Sequence, residues 1–184
     1  MIRLFTALEI PDEVAEKIAP LQHGLDGARW IERPDLHITL RFAGDIPNDV
    51  AEDFAAALDE IPVEPFEVEL EGLGEFGGKR PHTLYAGVKP SEALAVLHAR
   101  HESAARRAGL KPETRNYTPH VTIARLSRVE TDAVYDFIRA HSPFAAPVFT
   151  VSHFTLFSAR SSIGGGPYVA EHRYPTDIWG EDDD

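Results

Sequence analysis

The chain has 184 residues, 43% of them apolar, and a formal net charge of −12. That length suffices for one compact domain with a sizeable core. The composition excludes a disordered chain, and no apolar run approaches the roughly 18 residues of a membrane span. Eighteen basic against thirty acidic residues exclude a broad basic surface, so any nucleic-acid contact must be local, at a strand's end rather than along its backbone.

The elements alternate in period. Ile2–Ile10 alternates like a strand, and the N-terminus reads as this strand rather than as a signal peptide. Val14, Ile18, Leu21 and Leu25 follow at helical spacing after Pro11-Asp12. Leu36–Ala43, led by Pro34, is a second strand. Val50, Phe54, Leu58 and Ile61 form a helical stripe that Pro62 ends. Phe66–Leu73 and Thr83–Val88 read as strands around the turn-rich Gly77–Pro81. Leu94, Leu97, Ala104 and Ala105 lie on a long helix between Ser91 and Gly109. His120–Leu126 is a strand, Val134, Phe137 and Ile138 mark a short helix, and Phe149–Phe157 and Tyr168–Tyr174 are strands around Gly164–Pro167. The acidic tail, Glu181–Asp184, reads as a solvated, frayed terminus.

Each half therefore runs strand–helix–strand–helix–strand, and no linker separates the halves. The expectation is an α+β fold, residues 1–184 forming a single domain of two lobes. Each lobe is a small, mostly antiparallel sheet with helices on its outer face, and a cleft lies between them. Cysteine is absent, so there is no disulfide or thiolate site, and a cytoplasmic protein fits best.

Two tetrapeptides carry the chemistry: His37-Ile38-Thr39-Leu40 and His120-Val121-Thr122-Ile123. In a strand, alternate side chains share a face. His37 and Thr39 then point one way while Ile38 and Leu40 enter the core, and the second copy repeats this. Each strand presents an imidazole and a hydroxyl about 7 Å apart. An imidazole titrates near pH 6.5, so one His can take a proton while the other gives one. In-line attack on phosphorus needs a base and an acid on opposite sides, and the Thr hydroxyls can donate to the non-bridging oxygens. No metal or cofactor is required. One His-x-Thr alone signals only a hydrogen-bonded strand His; the pair, at equivalent places in the two halves, is a stronger signal. A third copy, His153-Phe154-Thr155-Leu156, has no partner and reads as structural or cleft-lining.

Over nearly its whole length the sequence resembles the 2H phosphoesterase superfamily, specifically the bacterial and archaeal RNA 2′,3′-cyclic phosphodiesterases, long called 2′-5′ RNA ligases. Arg3–Leu8 resembles the first strand. Arg29-Trp30-Ile31 with Leu36–Gly44 resembles the first signature, Gly72–Phe76 with Arg80-Pro81 the central hairpin, and Pro119–Arg125 the second signature. Phe154–Ser158 and Gly166–Tyr168 resemble the close. Ala43, where Leu is common, and the glycine-rich Ser161–Gly166 depart from the pattern without touching the His/Thr quartet. The resemblance implies that His37 donates a proton and His120 accepts one, without a metal.

Further candidates are weaker. Arg41 continues the face of His37 and Thr39 by alternation and would steer a phosphate or the RNA backbone, the alternative being a solvated strand-end Arg. Arg125 sits at odd spacing, on the opposite face from His120 unless a bulge turns it inward. Tyr117 and Phe42 flank the motifs and offer rings for a terminal base, the alternative being core aromatics. Trp30 reads as structural. His98 and His101, three apart on a helix, read as a solvated face rather than a metal pair, and the Gly164–Gly166 run as a turn rather than a phosphate loop.

The function expected is hydrolysis of RNA 2′,3′-cyclic phosphate ends to a 2′-phosphomonoester by a monomer. The alternatives are a small nucleotide or ADP-ribose cyclic phosphate as substrate, 2′-5′ ligation in reverse, and a non-catalytic RNA-end binding module. The intact quartet argues against the last.

Overall fold

The computed structural model describes residues 1–159 and 166–176. The acidic tail and most of the glycine-rich Ser161–Gly166 segment lie outside them. Ten strands and four helices follow in the order β1 (Ile2–Glu9), α1 (Asp12–Ile18), β2 (Ala28–Trp30), β3 (His37–Ile46), α2 (Asn48–Leu58), β4 (Phe66–Val68), β5 (Leu70–Phe76), β6 (Thr83–Val88), α3 (Glu92–Arg107), β7 (His120–Leu126), α4 (Thr131–Ala140), β8 (Phe149–Val151), β9 (Phe154–Ala159) and β10 (Tyr168–Tyr174). The fold is α+β, and every strand pairing among the described residues is antiparallel.

The main sheet runs β10-β9-β1-β3-β7-β6-β5, with β2 also on β7. One lobe carries β10, β9, β1 and β3; the other carries β7, β6, β5 and β2. The lobes are therefore not the two halves of the sequence. The C-terminal hairpin β9–β10 covers the free edge of β1, and the short β2, with too few residues for an alternation signal, crosses to β7. Nor are there two separate sheets. They join where Ile38 pairs with Val121, the single registered pair between β3 and β7. Further along, the same edge of β7 is taken by β2, Trp30 pairing with Ala124 and Ala28 with Leu126, so β3 and β7 diverge.

Other departures have local causes. Helix α1 stops at Ile18 and passes into a 3₁₀ turn, because Pro20 offers no N–H to continue the ladder; Leu25 is buried without being helical. The expected strands 66–73 and 149–157 each split, and Phe66–Val68 pairs with Phe149–Val151 as a small sheet of its own. The longest helix, α3, starts where the Ser91 hydroxyl accepts from Leu94 N–H at 3.1 Å, a side-chain cap for otherwise orphaned donors. It packs against β3 and α2. The core, including Ile38, Leu40, Val121 and Ile123, fills the helix-covered side of the sheet.

Candidate active site

From the Ile38–Val121 pair, the antiparallel register counts outward in both directions. His37 then stands across from Thr122, and Thr39 across from His120, with all four side chains on the face away from the core. The two histidines lie on a diagonal, roughly 7–8 Å apart by strand geometry. The sequence-predicted quartet is thus brought to one place at the join of the lobes.

Both imidazoles are held alike. His37 Nδ1 lies 2.8 Å from the Asp35 carbonyl, and His120 Nδ1 lies 2.7 Å from the Thr118 carbonyl, in each case two residues upstream. A carbonyl only accepts, so both Nδ1 atoms carry the proton and both Nε2 atoms face the site. The i−2 carbonyls are set by Pro34 in the 3₁₀ turn before β3 and by the Thr118-Pro119 approach to β7. At Gly166 the backbone has φ +94, and a Cβ there would overlap the Asp35 carboxylate. That close approach lets Tyr168 N–H reach Asp35 Oδ1 at 3.1 Å. Aromatic rings wall each imidazole: Phe5, Phe157 and Tyr168 around His37, and Phe76 and Tyr85 around His120.

Burial pushes His37 down to about 4, with the charges of His120 and Arg125 acting in the same direction and the Asp35 hydrogen bond opposing. His120 is lowered too, by burial and then by Arg125, against the Thr118 hydrogen bond. Both are neutral at pH 7, each with an Nε2 lone pair. That of His37 lies 3.0 Å from the Thr39 hydroxyl; that of His120 has no protein partner among the described residues. An anion entering between them favours both imidazolium forms and raises both values. Because kcat/KM reports the free enzyme and kcat the complex, the kcat/KM optimum is expected below pH 6.5 and the kcat optimum at higher pH. A kcat optimum lying at or below that of kcat/KM in parallel pH titrations would contradict this electrostatic reading.

The two arginines exchange the places that alternation gives them. On β3, Thr6 pairs with Arg41 and Ala7 with Thr39, leaving Leu40 unpaired. On β7, Leu84 pairs with Ala124 and Tyr85 with Thr122, leaving Ile123 unpaired. These are bulges at the same place in each motif, and each moves the following residues by one in face. Arg41 therefore turns toward α3. Its Nε donates to Glu102 at 2.6 Å, and its Nη1 and Nη2 reach the carbonyls of Phe42 and Lys111 at 2.5 Å. Three of its five N–H groups are engaged in this way, tying down the chain before Tyr117, while the residue still lines the cleft beside the quartet. Arg125 turns into the site face, and its charge reaches both histidines. Among the described residues it has no carboxylate partner. Phe42 takes the position on β3 that Arg125 takes on β7, and its ring is 49% exposed.

A cleft of about 370 Å³ opens beside the quartet, lined among others by Thr39, Phe42, Phe76, His82, Tyr117 and His120. The Tyr117 hydroxyl donates to the Thr39 carbonyl at 2.7 Å, and one ring face lies flat on His98, centroids 3.8 Å apart. Half of its stacking capacity is already used. His101, expected on a solvated helix face, is instead fully buried and 2.8 Å from the Thr6 hydroxyl. Its side of α3 packs on β1, so the two helix histidines do not converge. Trp30 packs on Phe137, as a structural residue. The third motif spends itself on Glu9: Thr155 donates to Glu9 Oε1 at 2.9 Å, and His153 Nε2 stands 3.9 Å from Oε2. His153 is turned to Glu9 and lines a different cavity, with Pro11 and Phe149, so His153→Ala is expected to keep kcat within about twofold of wild type, a change of about 0.5 kcal/mol or less. A tenfold loss in a steady-state assay would place His153 in the site after all. Sequence reasoning missed Thr83 and His82, which carry no motif signal.

A profile of the 2′-5′ RNA ligase superfamily matches residues 10–162. A protein of Aquifex aeolicus named RNA 2′,3′-cyclic phosphodiesterase is 31% identical over 181 residues, covering 94% of this chain and 95% of its own. One of the same name from Archaeoglobus fulgidus is 28% identical over 159 residues, covering 84% and 89%. In fold, the chain matches E. coli LigT crystallised with 3′-AMP at 23% identity, with a TM-score of 0.75 and coverage of 94% and 97%. It matches TT0787 of Thermus thermophilus at 22% identity, with a TM-score of 0.76 and coverage of 94% and 96%.

Proposed function

This chain belongs to the 2′-5′ RNA ligase superfamily, and from that premise we propose that it hydrolyses RNA 2′,3′-cyclic phosphate ends to 2′-phosphomonoesters, with His120 as base and His37 as acid. The observation that carries this reading is the diagonal pair of imidazoles across the Ile38–Val121 join, each with Nε2 turned to one face beside an arginine that no acid neutralises among the described residues. His120 Nε2, with its lone pair unused, takes a proton from water as the water oxygen attacks phosphorus. The P–O3′ bond breaks, and His37, charged once the phosphate is bound, gives its Nε2 proton to O3′. Thr39 and Thr122 donate to the non-bridging oxygens, and Arg125 holds their charge. The product is a 2′-phosphate with a free 3′-hydroxyl, and the two histidines return to their starting states by exchange with solvent.

Phe42 offers the terminal base an exposed ring, while Tyr117, with its hydroxyl and one face engaged, holds the cleft wall. The substrate is an RNA 3′ end or a small cyclic nucleotide, bound at one residue's phosphate; a net charge of −12 disfavours long RNA tracks. The test is turnover of nucleoside 2′,3′-cyclic phosphates in EDTA without added metal, with the product isomer read by phosphorus NMR. Full activity and a 2′-phosphate are expected. Activity lost in EDTA and restored by a divalent cation would overturn the metal-free mechanism, and a 3′-phosphate product would overturn the choice of leaving group.

A further inference from the structure

Two arginines near the site are held in opposite ways. Arg41 has every arm of its guanidinium on an acceptor. Arg125 has one: Nη1 donates to the Thr83 hydroxyl at 3.2 Å. Its Nε is buried and lacks a partner among the described residues, which is costly for a charged donor. Thr83 is therefore the one protein group, among the described residues, that fixes where this half-buried guanidinium points.

The same hydroxyl lies 2.8 Å from His82 Nδ1. A hydroxyl has one proton to give and two lone pairs. With Arg125 N–H on one lone pair, the proton is available to His82 Nδ1, and the chain runs Arg125 to Thr83 to His82. His82 is itself fixed. Its backbone N–H donates to the Phe76 carbonyl at 2.9 Å, and its own carbonyl accepts from Leu126 N–H at 2.9 Å. Its ring sits over the Gly77 turn, where a Cβ would approach Cδ2 to 2.9 Å. From there it lines the cleft beside Phe76 and His120. Thr83 is buried and pairs directly across β6–β7 with Arg125.

We propose that Thr83 and His82 are positioning residues for the reaction: by this hydroxyl relay they hold the Arg125 guanidinium toward the phosphate. The inference rests on the reading of Arg125 as the phosphate's cation. Without Thr83, the guanidinium is free to rotate so that Nε finds an acceptor, and it leaves the phosphate. Because Arg125 meets the phosphate charge before and during reaction, the loss falls on binding more than on turnover.

The test compares Thr83→Val, Thr83→Ser, His82→Leu and His82→Asn with wild type in three measurements. These are calorimetric affinity for adenosine 2′-monophosphate, KM and kcat on a nucleoside 2′,3′-cyclic phosphate, and the Arg125 Nε–H resonance in the ligand-free protein. Thr83→Val, which keeps the side-chain shape, is expected to weaken nucleotide binding and raise KM about tenfold, as for a hydrogen bond to a charged group. It should change kcat less and move the Arg125 resonance; Thr83→Ser should restore all three. His82→Leu should shift binding in the same direction by a smaller factor, and His82→Asn, which keeps an acceptor near Nδ1, should recover it. His82 is exposed, so its variants stay readable if Thr83→Val fails to fold. Wild-type affinity and an unmoved Arg125 resonance in Thr83→Val would overturn the relay, as would His82→Leu indistinguishable from wild type. If no variant or wild-type enzyme turns over the cyclic substrate while Thr83→Val still moves the resonance and weakens nucleotide binding, the relay stands and the proposed activity falls.

Discussion

Alanine in place of His37 or His120 is expected to lower kcat for cyclic-phosphate hydrolysis roughly 10²–10⁴-fold, the range of one positioned proton-transfer group. The two losses should differ in kind. If His37 is the acid proposed above, a cyclic diester whose leaving group is a phenolate needs less from it and should recover much of the rate in His37→Ala. The same substrate should help His120→Ala little, since attack by water still lacks its base. The reverse pattern of rescue would exchange the two roles while leaving a two-histidine mechanism. Thr39→Ala removes the hydroxyl beside His37 Nε2, and Thr122→Ala removes its counterpart across the join. Both should slow the reaction less than either histidine, because a hydroxyl stabilises charge without moving the proton.

A second large effect belongs to stability. Arg41→Ala takes the guanidinium from Glu102, whose Oε2 it meets at 2.6 Å with only 6% of the Arg41 side chain exposed. It also leaves the carbonyls of Phe42 and Lys111 without their donors. Breaking a buried pair from one side costs about 3–5 kcal/mol. Glu102 Oε1 still accepts from Arg106 and from Glu113 N–H, which puts the loss at the lower end, about 3 kcal/mol. For a chain of this size that is a fall in Tm of roughly 6–12 °C. Scanning calorimetry that found the variant within a degree of wild type would mean that the pair is solvated and contributes little.

The face that each histidine takes was legible in the sequence because it depends only on local periodicity. His37 with Thr39 and His120 with Thr122 share faces as strict alternation says, and β7 and β10 run over the predicted residues. The arginines were not legible for the same reason. Alternation holds until a residue is left unpaired, and whether Leu40 or Ile123 is paired depends on β1 and β6, strands distant in sequence. One unpaired residue in each motif sends Arg41 to the helix and brings Arg125 to the face of the two histidines. His101 is a similar case. Its neighbours on α3 are polar enough to suggest a solvated face, and only the packing of α3 on β1 sets the imidazole against Thr6, where burial pushes it down to about 3. The two lobes were foreseen but not which strands build each, because the helices and strands of each half look self-sufficient until β9 is seen beside β1.

That exchange of strands bears on the order of events when the chain folds. The lobe of β1 and β3 needs β9 and β10 from the other end of the sequence, so it cannot be completed by a contiguous stretch of nascent chain until the last strands are made. Helix α3 and the β5–β6 hairpin close over short distances and can form early, in microseconds. The Ile38–Val121 pair closes one of the long loops, and such contacts are slow to find. The two imidazoles are brought to one face only when that pair forms, so on the proposed reading competence to bind a phosphate comes well after helical content has been reached.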